Sequence, residues 1–312
     1  MKYQNDIDKM NTNRNLFLMS LPIFVELLLQ LLVGNVDQMM VSRVSQPSVA
    51  AIVNANQIMN LVIIVLSMAS TAVTVILSQY LGAQDEKNAS RTCMVSLVLI
   101  GGVSLAATIL VFAGHTPLYR AIHVPEEVFD EASLYLLIVG AFILVQGLYL
   151  TFSAMIRAFA MVKEVMIISV IMNVMNIVGN AILINGWFGM PQLGAVGAAI
   201  STDISKLVGL ALMIGMFFKS RRVKMGMSYL RPFPVQILKN LCLLAIPTGV
   251  ESFSYNLSQM IILGIVNSFG TLVTVTKGYC TIFANIDYVY AMAIATATQI
   301  VLGYLIGARR LN

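Results

Sequence analysis

Long apolar runs recur along this chain, separated by short polar stretches that hold most of its charge. Eight can be read, over 16–44, 50–81, 93–113, 128–156, 165–185, 194–218, 240–268 and 273–306. Runs of about 20 apolar residues cross a hydrocarbon core of roughly 30 Å as a helix, and those nearer 30 residues imply tilt or extension beyond the bilayer. No run shows the sustained alternation of apolar and polar positions that a membrane β-barrel needs. The pattern predicts an all-α, polytopic membrane helical bundle of about eight transmembrane helices.

The pattern also repeats. Displacing the sequence by 225 positions places Pro22 on Pro247, Glu26 on Glu251, Asn60 on Asn285 and Gly82-Ala83 on Gly307-Ala308, with no gap. Duplicated halves are the usual build of secondary transporters, with the substrate path between the repeats. The second copy stops at Asn312, opposite Lys87 of the first. The expected organisation is an N-terminal segment 1–15, a six-helix N-lobe 16–218, a basic linker 219–239, and the first two helices of a C-lobe over 240–312. On this reading the chain is an incomplete transporter. Six crossings before the linker bring both halves into the membrane in the same orientation, a parallel repeat.

Composition fits this setting: 58% of the residues are hydrophobic and 11% charged, against about 25% charged in soluble domains. The net charge of +5 is a topology signal, not the mark of a nucleic-acid partner. With the N-terminus in the cytoplasm, fifteen Lys and Arg fall inside, among them Arg157, and only Arg43 and Arg120 fall outside. That asymmetry fixes the orientation by the positive-inside rule. The linker KSRRVKMGMSYLRPFPVQILK is expected to lie in the cytoplasm and touch anionic lipid. The first 15 residues lack a signal-peptide pattern, so the first apolar run is expected to be kept as a helix. Cys93, Cys242 and Cys280 read as apolar packing residues. His115 and His123, expected in an external loop, lack the spacing and companions of a zinc site. No GxxxxGK[ST] loop occurs, so ATP is not the direct energy source, and no cofactor is expected.

Polar residues inside the apolar runs carry the functional signal, because an ionised group at the bilayer centre costs about 2.5–3.5 kcal/mol and normally faces protein or a wet cavity. In the first helix Glu26, Gln30 and Asp37 share a face, with Asp37 roughly 16 Å further along than Glu26. Glu26, near the cytoplasmic end, fits either a cavity wall or an interfacial cap. The second helix carries a stripe of Asn56, Asn60, Ser67, Thr71, Thr74 and Ser78, the fifth places Asn173, Asn176 and Asn180 at i, i+3, i+7, and the seventh carries Glu251, Ser254, Tyr255 and Ser258. Any one of these amides fits an interhelical hydrogen bond as well as a ligand contact. Together they point to a hydrated central cavity. Asp203 and Lys206, one turn apart, are expected to neutralise each other. Pro22 and Gly34 are candidate hinges.

Three segments carry a family resemblance: LPIFVELLLQLLVGNVDQMMVSRVSQPSVAA, then LSQYLGAQ, then NVMNIVGNAILINGWFGMPQLGAVGAAIST at 173–202. Spanning nearly the whole chain in the expected order, they resemble the multidrug and toxic compound extrusion (MATE) transporters. The resemblance implies a multi-pass exporter in a bacterial-type plasma membrane that exchanges organic, often cationic, compounds for inward-moving Na⁺ or H⁺. It assigns cation coupling to Asp37, with any Na⁺ held near it, and to Glu251, and it makes Asn176 and Asn180 cavity residues. Asn180 stands where many members have aspartate and Ser42 where glycine is common, which leaves the number of coupling carboxylates open. Three other readings remain: a lipid-linked oligosaccharide flippase, disfavoured by the scarcity of cavity cations; an inactive remnant, unless a second chain supplies the missing helices; and a non-transporting membrane interaction protein, for which the sequence holds no dedicated motif.

Overall fold

The computed structural model describes residues 11–42, 46–121, 124–189, 191–267, 269 and 271–309. Within helices the side chains at 34, 35, 37, 38, 46, 47, 121, 188, 260, 263, 264, 267, 271–275, 278, 279, 282 and 283 lie outside the description. The apolar runs form helices because a helix satisfies every main-chain polar group within one segment, which lipid requires. In chain order they are α1 (Asn13–Ser42), α2 (Gln46–Gly82), α3 (Glu86–Ala121), α4 (Glu126–Ala141), α5 (Ile143–Ala158), α6 (Val162–Asn185), α7 (Gly194–Ser220), α8 (Val235–Asn267) and α9 (Thr271–Gly307). Two short 3₁₀ turns, Trp187–Gly189 and Met227–Leu230, sit in the connections.

The expected fourth span is not one helix. It is the pair α4 and α5, bent by 44° at Phe142. No proline marks the break; the Phe142 N–H turns back to the Val139 carbonyl at 3.2 Å, where Gly140 lies tight against Val111 of α3. α3 runs eight residues past its expected end at 113 and takes in His115, so that residue is helical and not in a loop. Tyr119 anchors this extension: it is fully buried, and its hydroxyl donates to the Ala132 carbonyl at 2.9 Å. His123 lies outside the described residues. Among the described residues six helical segments are long and apolar enough to cross a membrane, and α4 with α5 makes a seventh. α8 has the length of an eighth, but Glu251, Ser252, Ser254, Asn256 and Ser258 make its second half polar.

Contacts centre on α2, which packs against α3, α4, α5, α8 and α9, while α7 lies along α6 and α1 spans between α6 and α9. One large buried cluster joins α2 through α7 and takes in Ile237, Leu241 and Ala245 from the start of α8. A smaller one fastens α1 to α9 through Ile23, Ala293, Ala297, Ile300 and Tyr304.

The repeat is written into the helices. α2 and α9 end 225 residues apart, at Gly82 and Gly307. The two copies also meet reciprocally. A Cβ on Gly82 would lie 2.3 Å from the Tyr304 carbonyl oxygen, and one on Gly307 would lie 2.0 Å from that of Gln79. Tyr304 is the counterpart of Gln79 (304 − 225 = 79), so residue i touches the equivalent of j and j touches the equivalent of i, the signature of a two-fold relation. Ser78 and Gly303, counterparts of each other, meet directly at this crossing. The seam lies at the end of the bundle where the basic linker sits. There the Lys224 N–H donates to Ser90 Oγ at 3.2 Å, while Val223, Met225 and Leu230 pack on the core. Away from the seam the repeats still touch where Met68 lies against Gly249 and where Phe24 meets Tyr290 edge to face at 5.9 Å, while α8 is mostly exposed from Val250 onward and α9 largely exposed from Ala284 to Met292.

Because main chain meets main chain at the seam, Gly82→Ala is expected to lower the melting temperature of the natural full-length protein in detergent, at a cost of about 1–3 kcal/mol. Gly101→Ala, at a helical site with nothing within 4 Å, is expected to leave it unchanged or raise it slightly.

Candidate functional site

α1 carries its chemistry just past Pro22, which sits inside an otherwise continuous helix and cannot supply the N–H that would close the preceding turn. One turn later Glu26 is 1% exposed, and its Oε1 accepts hydrogen bonds from Arg157 Nη2 at 2.5 Å and Ser169 Oγ at 3.3 Å. The Tyr149 hydroxyl, buried behind it, pairs with Ser169 Oγ at 3.0 Å. One carboxylate therefore ties α1 to the end of α5 and to α6. Arg157 is not a free loop cation as its place in the charge count implied; it holds this ion pair, with its side chain only 22% exposed. Glu26 Oε2 and Arg157 Nε have no hydrogen-bond partner, so the pair is held by a single strong contact.

The α6 amides lie on one face, as their spacing predicts, and that face is buried: Asn173 at 7%, Asn176 at 5% and Asn180 at 0%. Asn176 Nδ2 donates to Thr202 Oγ1 on α7 at 3.0 Å, and Asn180 Nδ2 donates to Asn176 Oδ1 at 3.4 Å. Ser201 Oγ donates to the Asn176 carbonyl at 2.9 Å. Thr202 is the member that sequence reasoning missed, although it stands on the helix that the small-residue run GAVGAAIS starts. Its neighbour Asp203 is 1% exposed with neither oxygen hydrogen-bonded, and Lys206 exerts the attractive field on it.

Gln30, Asn60, Glu251 and Tyr255 are exposed. The backbone at Asp37 and Gly34 is helical; the Asp37 side chain lies outside the described residues. The structure thus places Glu26 in one buried group and Asn173, Asn176 and Asn180 in another, and leaves Gln30, Asn60, Glu251 and Tyr255 exposed. Tyr255 lies nearly parallel to Tyr288 of α9, at 8° with ring centroids 6.5 Å apart. Among the described residues no three of His, Cys, Asp and Glu come together as metal ligands.

A family model described as MatE matches residues 22–182, from the α1 proline to the α6 amides. The chain belongs to the MatE family. It is a multi-pass membrane protein of the MATE transporter fold. The uncharacterised transporter YisQ of Bacillus subtilis is 35% identical over 298 residues, covering 96% of this chain and 66% of the relative. The probable multidrug resistance protein NorM of Chromobacterium violaceum is 28% identical over 303 residues, covering 93% and 63%. The chain therefore spans just under two thirds of these curated relatives. A crystal structure of MATE in the bent conformation superposes with a TM-score of 0.86 at 21% identity, covering 97% of this chain and 68% of that one. An outward-facing multidrug resistance MATE transporter gives 0.84 at 22% identity, covering 95% and 65%.

Removing one partner of a buried ion pair strands the other charge. Arg157→Ala is therefore expected to destabilise the protein by about 3 kcal/mol, read as a lower melting temperature and a lower membrane yield. The double replacement Glu26→Leu with Arg157→Leu is expected to recover most of that loss.

Proposed function

We propose that this MATE transporter exports organic, often cationic, compounds from the cytoplasm in exchange for Na⁺ or H⁺, by alternating access between its two repeats. The observation that carries the reading is the seam: the repeats touch through α2 and α9 at the basic end, keep contact as far as Gly249 and Tyr290, and beyond that present exposed polar residues, Asn60 on α2 and Asn285 on α9. A cleft closed at one end is one of the two states alternating access needs. With the basic end in the cytoplasm by the positive-inside rule, this is the outward-open state. The relatives named as multidrug resistance proteins support the same class of cargo.

The buried ion pair narrows the choice of coupling acids. Glu26 already has its charge matched by Arg157, so it is a poor binder of a second cation. Its counterpart Glu251, with Asp37, is then left to exchange cargo for ion. Reciprocal coupling then requires only that the two cations compete for these carboxylates. An ion arriving from outside neutralises Asp37, α1 shifts at Pro22, and cargo is released. The buried amides and Thr202 act as the packed wall behind α1, and lipid surrounds the apolar faces.

Efflux of ethidium from a drug-sensitive bacterial strain tests this, using the chain together with whatever its reading frame continues into. Ion-gradient-dependent efflux is expected. Asp37→Asn is expected to abolish it and Glu251→Gln to reduce it at least tenfold, while both proteins still reach the membrane. Efflux that persists unchanged in Asp37→Asn would remove the coupling role.

A further inference from the structure

α5 ends where the two repeats meet. Its last helical residue is Ala158, and a helix leaves its final carbonyls without partners of its own. The chain turns back at once. The Phe159 N–H donates to the Met155 carbonyl at 3.1 Å, that of Ala160 to Arg157 at 2.8 Å, and that of Met161 to Ile156 at 3.2 Å. The Ala158 carbonyl accepts instead from the second repeat, from the Tyr304 hydroxyl of α9 at 2.9 Å. The residue before it, Arg157, holds Glu26 of α1. Two consecutive residues of α5 therefore grip α1 with a side chain and α9 with a main-chain oxygen. Glu26, Ala158 and Tyr304 are 1%, 0% and 7% exposed, so these contacts do not depend on an open helix face.

We infer that Tyr304 is the latch of the cytoplasmic seam, a positioning residue for transport, and that the Glu26–Arg157 pair holds in place the carbonyl it closes on. The inference rests on the alternating-access reading of the seam. α5 belongs to the first repeat and α9 to the second, so opening at the basic end must part the hydroxyl from the carbonyl. Once parted, both groups meet water, and the bond therefore favours the closed state alone. One net hydrogen bond shifts a two-state balance about fivefold, and a buried carbonyl left without its donor shifts it further. The Tyr304 ring belongs to the apolar cluster that fastens α1 to α9, so removing only its oxygen leaves that packing in place. The ion pair connects α1 to the same latch. A shift of α1 that draws Arg157 with it moves the adjoining carbonyl off the Tyr304 hydroxyl. Movement of the ion-coupling helix would thus reach the seam through one turn of α5.

The test uses the natural full-length protein with its own cysteines replaced and one reporter, Ser78→Cys, at a fully buried position of the seam. A membrane-impermeant maleimide is added to inside-out vesicles, and the labelling rate reads the fraction of protein open to the cytoplasm. Tyr304→Phe is expected to speed labelling at least about fivefold. It is expected to leave labelling unchanged at Ser96→Cys, a fully buried site inside the first repeat, where general loosening of the fold would show. In the double variant Glu26→Leu with Arg157→Leu, which strands no charge, Tyr304→Phe is expected to add less than about twofold. An unchanged rate at Ser78→Cys, equal acceleration at Ser96→Cys, or an undiminished effect in the double variant would each overturn the inference. If Ser78→Cys is labelled in no variant, the alternating-access reading fails with it, because the seam then never opens.

Discussion

Gly82 and Gly307 let the main chains of α2 and α9 come into contact, and the rest of the arrangement depends on this crossing. Each helix runs for 37 residues, about 55 Å, so a tight contact near one end lets the other ends diverge. Any side chain at Gly82 or Gly307 would meet a backbone carbonyl within 2.3 Å, and backbone, unlike a side-chain tip, cannot swing aside. The smaller apolar cluster of Ile23, Ala293, Ala297 and Ile300 then draws α1 onto α9 at the same end. The Tyr304 hydroxyl reaches the Ala158 carbonyl at 2.9 Å and ties α9 to the end of α5. Closure at the basic end is thus a set of short-range contacts between small residues.

Glu26 is enclosed by Arg157 and Tyr149 of α5 and Ser169 of α6, residues whose 225-displaced counterparts are not in this chain. A buried carboxylate is tolerable only with its charge matched, and the end of α5 supplies the match. The pair fastens α1 immediately beyond Pro22, where the helix has lost a hydrogen bond.

Much of this was legible in the chain. The 225-residue displacement anticipated the matching ends of α2 and α9, because the same Gly-Ala closes both copies. The i, i+3, i+7 spacing of Asn173, Asn176 and Asn180 placed them on one face, since helical period alone decides that. What the face points at was not legible: the partner Thr202 depends on how closely α6 and α7 approach, which Gly179 against Ser201 sets. The Glu26–Arg157 pair joins residues 131 positions apart, and a count of charges by loop has no term for pairing across the bundle. The bend at Phe142 has no proline to announce it and follows from contacts with α3.

The most direct test of the account is a disulfide across the seam. Ser78→Cys with Gly303→Cys would be introduced into full-length protein whose Cys93, Cys242 and Cys280 have been replaced, and cross-linking and efflux would be followed in the same vesicles. The account predicts that the bond forms readily, that efflux stops when it forms, and that a reductant restores efflux. Undiminished efflux from fully cross-linked protein would contradict it, since the repeats would then be moving cargo without parting at the basic end.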